Sequence, residues 1–219
     1  MKKALLPLLI LVIASLACNL INPSPSETTL YKEYKDDFSS PNSGWDSTTF
    51  DDGSSRQYQD DGYGIYVNSP DSVMVSVWGY SDGRFIRDLR IEVDATHLGG
   101  PADSYMGIFC RYARTDKGGD FYTFFISNAG KASIAKVVGD NTTYLTEEWV
   151  ETPAINKGGA VNHIRADCIG DTLALYINEQ QVASVTDSDL DGEYVGLAVG
   201  TRNIAGADVF FDNFIVTSP

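Results

Sequence analysis

Residues 162–216 read NHIRADCIGDTLALYINEQQVASVTDSDLDGEYVGLAVGTRNIAGADVFFDNFIV, and this stretch decides the fold class. Short runs alternate apolar and polar residues, and each run is ended by Gly, Asn or Asp. Ile164, Ala166 and Cys168 share one face; His163, Arg165 and Asp167 share the other. Leu173, Leu175 and Ile177 repeat the rule, and Val182 and Val185 follow it less regularly. A two-residue period marks half-buried antiparallel strands, because successive side chains on a pleated strand point to opposite faces. The segments between the runs, Gly170-Asp171, Asn178-Glu179-Gln180 and Asp191-Gly192, are short enough to be hairpin turns.

The same pattern extends toward the N-terminus. Residues 63–67, 72–78, 89–96, 105–113, 121–127 and 132–138 read as strands. In residues 89–96, Ile91, Val93 and Ala95 oppose Glu92, Asp94 and Thr96. No run repeats apolar residues at the i, i+3, i+4, i+7 spacing of an amphipathic helix. The expectation is an all-β sandwich of two antiparallel sheets over residues 36–219. Its first part, DFSSPNSGWDSTTFDDGSSRQYQDDGYG at 37–64, scatters Phe38, Trp45, Phe50, Tyr58 and Tyr63 among turn formers. It reads as a lead strand and long loops that lay aromatics on the sandwich edge.

The N-terminus has a different character. Lys2 and Lys3 precede an uncharged apolar run over residues 4–17. That run is shorter than the roughly 20 residues of a membrane-spanning helix and has the layout of a secretory signal. It ends in Ser15-Leu16-Ala17-Cys18, which resembles the lipobox of bacterial lipoproteins, with Ser15 where that pattern carries Leu. The resemblance implies a signal peptide over 1–17 and lipidation of Cys18. Residues 18–35, rich in Pro, Ser and Thr, then read as a disordered tether. The protein is thus expected outside the cytoplasm, held to a membrane by its lipid anchor only.

Charge narrows the partners. Of 219 residues, 16 are Lys or Arg and 30 are Asp or Glu, a formal net charge of -14. Loss of Lys2 and Lys3 with the signal would take two positive charges and bring this to -16. Such a surface repels nucleic acid and anionic lipid alike. Of the three cysteines, lipidation of Cys18 leaves Cys110 and Cys168 as an even pair in an oxidising compartment. A disulfide between them is expected, with two buried free thiols as the alternative.

With the strands placed, the chain resembles bacterial extracytoplasmic lipoproteins with a concanavalin A-like jelly-roll domain. It is similar to the group with 3-keto-disaccharide hydrolase domains, and more distantly to laminin-G-like and laminarinase folds. The resemblance rests on Phe38 with Ser43-Gly44-Trp45, on residues 107–112 (GIFCRY), and on Phe121-Tyr122 with Ile126. Asn162 with Ile164, Cys168-Ile169-Gly170, Asp187, Gly192, Gly196-Leu197 and Phe211-Asp212-Asn213-Phe214 continue it. It covers roughly residues 36–219 and implies a jelly roll. That superfold hosts lectins, hydrolases and inert spacers, so it does not imply one chemistry.

Four motifs bear on function. Gly79-Tyr80-Ser81-Asp82-Gly83 matches a nucleophile elbow, but strand pattern rather than a helix follows it, so it reads as a hairpin loop. Glu92-Val93-Asp94 puts two carboxylates on one strand face, as laminarinase-like glycosidases do, yet Thr96 and His97 stand where a third should be. It reads as a solvated polar face. Asp187, Asp189 and Asp191 before Gly192 spell the first half of a Ca²⁺ loop without its closing Glu, since Ala198 stands there. They read as an unoccupied Asx turn, with the three carboxylates as candidate Ca²⁺ ligands in the alternative. Trp78, Arg111, Tyr112, Tyr122 and Trp149 are candidate sugar contacts, because sugars stack on aromatics and accept hydrogen bonds from Arg. No P-loop, HExxH, paired CxxC or dinucleotide fingerprint is present. The expected function is glycan or cell-envelope binding by a monomer, without catalysis. A glycoside hydrolase of the 3-keto-disaccharide type and a structural spacer are the alternatives.

Overall fold

The alternating run Ile164, Ala166, Cys168 lies on a strand, Asn162–Ile169, whose inward residues are fully buried. In the computed structural model, residues 33–78, 87–116 and 118–218 are described. The expected signal peptide, Cys18, almost all of the tether and the Gly79–Gly83 motif lie outside them. Among the described residues there are sixteen strands and no helix. The early strands are β1 (Glu33–Asp36), β2 (Thr48–Thr49), β3 (Ser55–Gln59), β4 (Gly62–Val67) and β5 (Val73–Trp78). Long strands follow: β6 (Leu89–Gly99), β7 (Tyr105–Thr115), β8 (Gly118–Ser127) and β9 (Lys131–Val138). The remainder are β10 (Asn141–Tyr144), β11 (Val150–Glu151), β12 (Asn162–Ile169), β13 (Thr172–Ile177), β14 (Gln180–Thr186), β15 (Tyr194–Gly200) and β16 (Ala207–Thr217). Because β1 starts at Glu33, the last three positions of the expected tether are strand.

All strand pairs are antiparallel and form two sheets. One runs β14-β13-β12-β6-β16-β4-β3-β2, with β1 also on β16, Glu33 facing Thr217. The other runs β10-β9-β8-β7-β15-β5, with β11 also on β9. The two inner faces make the core through Ile91, Val93, Ile164, Leu175 and Phe211 from one sheet and Ile108, Tyr122, Phe124, Ile134 and Leu197 from the other. The Cys110–Cys168 disulfide joins β7 to β12, and so one sheet to the other.

Two features depart from the sequence expectation. Phe38, Trp45 and Tyr63 do not lie on the sandwich edge but inside it, packed with Trp78 and Phe214. Buried Asp36 orders this cluster: its carboxylate accepts from Tyr34 Oη at 2.9 Å, the Phe38 amide at 2.8 Å and Trp45 Nε1 at 3.0 Å. Residues 55–59, expected as loop, form β3 beside β4. The irregular spacing of Val182 and Val185 has a simple cause. The β13–β14 register slips at Leu175/Tyr176, so β14 carries one extra residue and both valines pack on the core.

The turn between β13 and β14 holds two residues, since Ile177 pairs with Gln180. Asn178 and Glu179 have φ of 49° and 69°, the left-handed pair of a type I′ turn. Asn178 tolerates this and uses its side chain as a clamp. Its Oδ1 accepts from the His163 amide at 2.9 Å, and its Nδ2 donates to Ala154 O at 2.8 Å and Asn162 Oδ1 at 3.0 Å.

Candidate functional site

Strand β8 is apolar on both faces, which decides where a site can form. Tyr122, Phe124 and Ile126 point into the core, while Phe121 and Phe125 join a second apolar cluster on the outer side of their sheet. Phe109, Tyr112 and Ala198 belong to that cluster, with Val75, Val77, Tyr105, Val137 and Trp149 packed against it. Phe109, Phe121 and Phe125 are nearly buried there, so a ligand would meet this face mainly through the more exposed residues around it.

That outer face carries a groove of about 580 Å³. Its floor is a ladder of cross-strand pairs, Phe121–Val137, Thr123–Ala135 and Phe125–Ser133. On the next strand, Thr142 lies opposite Val137 and Tyr144 opposite Ala135, forming one wall. Tyr105 and Trp149 close one end, their ring centroids 5.6 Å apart. Asp71, Asp140 and Arg202 supply charge along the lining, and the Arg202 guanidinium lies 5.0 Å from the Trp149 ring centroid. Tyr144 is 39% exposed, so its ring is open to a ligand.

Two groups in the groove have defined polarity. Burial pushes the Tyr105 hydroxyl up to about 12, so it stays protonated and can donate. Ser133 is 1% exposed, and its Oγ has no hydrogen-bond partner within the protein although it lines the groove. Buried polar atoms are almost always paired, so a hydroxyl in this state is ready for a partner from outside.

Of the five expected sugar contacts, the groove brings in only Trp149. Trp78 is 7% exposed and stacks on Tyr34 with centroids 4.0 Å apart. Tyr112 is packed against Phe109 and Phe121 and donates to Gly118 O at 2.6 Å. Tyr122 is fully buried and donates to Asp187. Arg111 sits at a bulge in β7 with φ of 52°, which turns its guanidinium inward onto Gly170 O and the Tyr122 ring. None of these four lines the groove, and each is engaged in the packing and hydrogen bonds just described. Tyr105, Tyr144, Ser133 and Arg202 were not singled out from the sequence. The available signal was the run Phe121-Tyr122-Thr123-Phe124-Phe125-Ile126, apolar on both faces and so demanding two partners.

In the acidic triplet the Asp189 amide donates to Asp187 Oδ1 at 3.1 Å, as in an Asx turn. Asp187 accepts from Lys136 Nζ at 2.7 Å, and Asp189 accepts from the same ammonium. Lys136 thereby stands where a cation would, and its pKa is raised by those hydrogen bonds. Asp191 is exposed. Among the described residues no group of three or more His, Cys, Asp or Glu is placed to hold a metal ion. Glu92 and Asp94 lie on the outer face of the other sheet, where each binds His163: Asp94 Oδ1 lies 2.8 Å from Nδ1 and Glu92 Oε2 lies 3.1 Å from Nε2. They make a polar sheet face, as their alternation suggested.

The chain is similar to the carbohydrate-binding module CBM66 from Bacillus subtilis, with 17% identity over 80% of this chain and 96% of that one, at a TM-score of 0.59. The fold is a jelly roll. A Bacillus subtilis protein with a galectin-like fold is similar at 13% identity and a TM-score of 0.60, over 86% of this chain and 98% of that one. Xylan β-1,4-xylosidase from Bacillus halodurans C-125 is similar at 13% identity and a TM-score of 0.59, over 84% of this chain but only 38% of the enzyme. Neither a protein-family model nor a curated protein matches the sequence.

Proposed function

We propose that the chain is an extracytoplasmic, lipid-anchored module whose grooved sheet face binds a glycan or another cell-envelope component without cleaving it. The observation that carries this reading is the groove itself: an apolar and aromatic floor beside a polar rim, with Tyr144 exposed and Trp149 at its end. The apolar side matches the C–H faces of a sugar ring, and the rim supplies hydrogen bonds to hydroxyls. The similarity in fold to a carbohydrate-binding module supports it further.

The hydrolase reading needs a carboxylate and Arg111, or two carboxylates, converging in a closed pocket. Arg111 is instead packed in the core, and Glu92 and Asp94 hold His163 on the opposite face of the sandwich from the groove. Asp71 and Asp140 do line the groove, but it is a groove along a sheet face rather than a closed pocket, and the binding reading is therefore favoured. Its test is a glycan panel run beside a hydrolysis assay that includes 3-keto-disaccharides. Saturable binding without product is expected; turnover, or no binding to any glycan, would overturn the proposal. The anchor is tested separately: the native chain should partition into detergent, and Cys18→Ser should leave it in the aqueous phase.

A further inference from the structure

Resting on the glycan reading, a second question is what shape of glycan the groove is built for. The floor ladder does not stop at Phe125–Ser133. One rung further along the same two strands, Ser127 pairs with Lys131 and enters a second compartment of about 350 Å³. Trp149 and Arg202 line both compartments and form the wall they share. From Phe121 to Ser127 the path covers three steps of two residues, about 20 Å at the rise of an extended strand. That is enough for several pyranose rings in a row. The unpartnered hydroxyl of Ser133 lies on the rung just before the junction, where a chain crossing between compartments would pass.

Charge distribution limits the chemistry of that chain. Asp71 and Asp140 line the first compartment, and Asp103, Glu147 and Glu148 line the second. Against these five carboxylates stand only Lys131 and Arg202 among the Lys and Arg lining residues, in a protein of net charge -14. A low-dielectric groove focuses such a field and repels anions.

We infer that this face reads an uncharged oligosaccharide along its length, through two adjoining compartments, rather than capping a chain end or holding an acidic glycan. The test is calorimetric titration with mono- to hexasaccharides of neutral xylo-, cello-, galacto- and N-acetylglucosamine series, with oligogalacturonides as the anionic arm. In the series that binds, affinity should rise about tenfold or more from monosaccharide to tetrasaccharide and then level off. Lys131→Ala and Glu148→Ala, both exposed positions of the second compartment, should weaken the tetrasaccharide severalfold and by more than they weaken the monosaccharide. Oligogalacturonides should bind at least about tenfold more weakly than neutral chains of equal length. A monosaccharide that binds as tightly as its tetramer overturns the two-compartment inference while leaving the glycan reading intact. Acidic chains that bind as well as neutral ones overturn the charge inference. Failure of every sugar at every length overturns the underlying reading instead.

Discussion

Trp149 donates its indole N–H to the hydroxyl of Tyr144 at 3.1 Å, tying together two aromatic rings of the groove. Each ring therefore helps to hold the other in place. Trp149→Ala and Tyr144→Ala should each reduce glycan affinity about tenfold or more, as truncation of buried aromatic anchors does. Because the two touch, the double substitution should cost less than the two single effects added. Titration calorimetry checks this, with circular dichroism as the control that the fold is retained.

Ser133→Ala separates binding from stability. The hydroxyl is buried without a partner, so its removal should leave the melting temperature unchanged or raise it. If the hydroxyl meets the ligand, affinity should nonetheless fall severalfold. A variant that melts lower and binds normally would assign Ser133 a purely structural role.

The turn at Asn178-Glu179 invites a stabilising change. A non-glycine residue in the left-handed region carries a penalty from its Cβ, and Glu179 sits there with φ of 69°. Glu179→Gly should stabilise by about 1 kcal/mol, or roughly 2–4 °C in the melting midpoint of a domain this size. Asn178→Ala should do the reverse, since it also removes three side-chain hydrogen bonds. Thermal melts of both variants decide the matter.

His163 predicts a pH dependence. Partial burial pulls its pKa down, but the hydrogen bonds and charges of Asp94 and Glu92 outweigh this, and the net shift is upward from 6.5. A raised folded pKa means the protonated ring is favoured in the fold. The stabilisation is therefore complete below pH 6.5 and is lost as pH rises through the folded value. Asp212, across the strand pair from Asp94, adds to the negative surroundings of the site. The side chains involved are about 30% exposed, so solvent screening limits the effect to about 1 kcal/mol or less. Melts between pH 6 and 9 should decline in the native chain and stay flatter in His163→Gln.

The disulfide closes a loop of 58 residues between the sheets. Removing it should cost about 4 kcal/mol by the chain-entropy account, because the unfolded chain regains that loop. Denaturant titration of Cys110→Ala/Cys168→Ala against the native chain measures it. Thiol counting under denaturing, non-reducing conditions should find neither cysteine free.

How much of this was legible in sequence depends on periodicity. Where one face is polar, as at Ile164, Ala166 and Cys168, alternation reveals the strand and its inward side together. In Phe121–Ile126 both faces are apolar, so the pattern shows a strand but not which aromatics look outward. The pattern alone therefore does not separate inward Tyr122 from outward Phe121 and Phe125. Arg111 departs from the pattern for another reason: the bulge between Cys110 and Ala113 breaks the two-residue parity of the strand. Tyr144 reaches the groove by a tight hairpin, since β10 returns along β9 after two residues, whereas Arg202 arrives beside Trp149 from the distant segment after β15. No local signal carries the second juxtaposition, while Gly139-Asp140 is a turn signal for the first.

The pairing of β1 with β16 has a mechanical consequence. Glu33 and Thr217 lie side by side at one end of that pair, and Asp36 and Phe214 at the other. A load drawn between residues 33 and 217 would open the hydrogen bonds one pair after another, like a zipper, rather than shear them all at once. Yielding in that geometry would begin at β1 and reach next the Asp36 carboxylate that holds Tyr34, Phe38 and Trp45. The groove lies on the other sheet, so the first element to give way under tension is remote from the surface that grips the ligand.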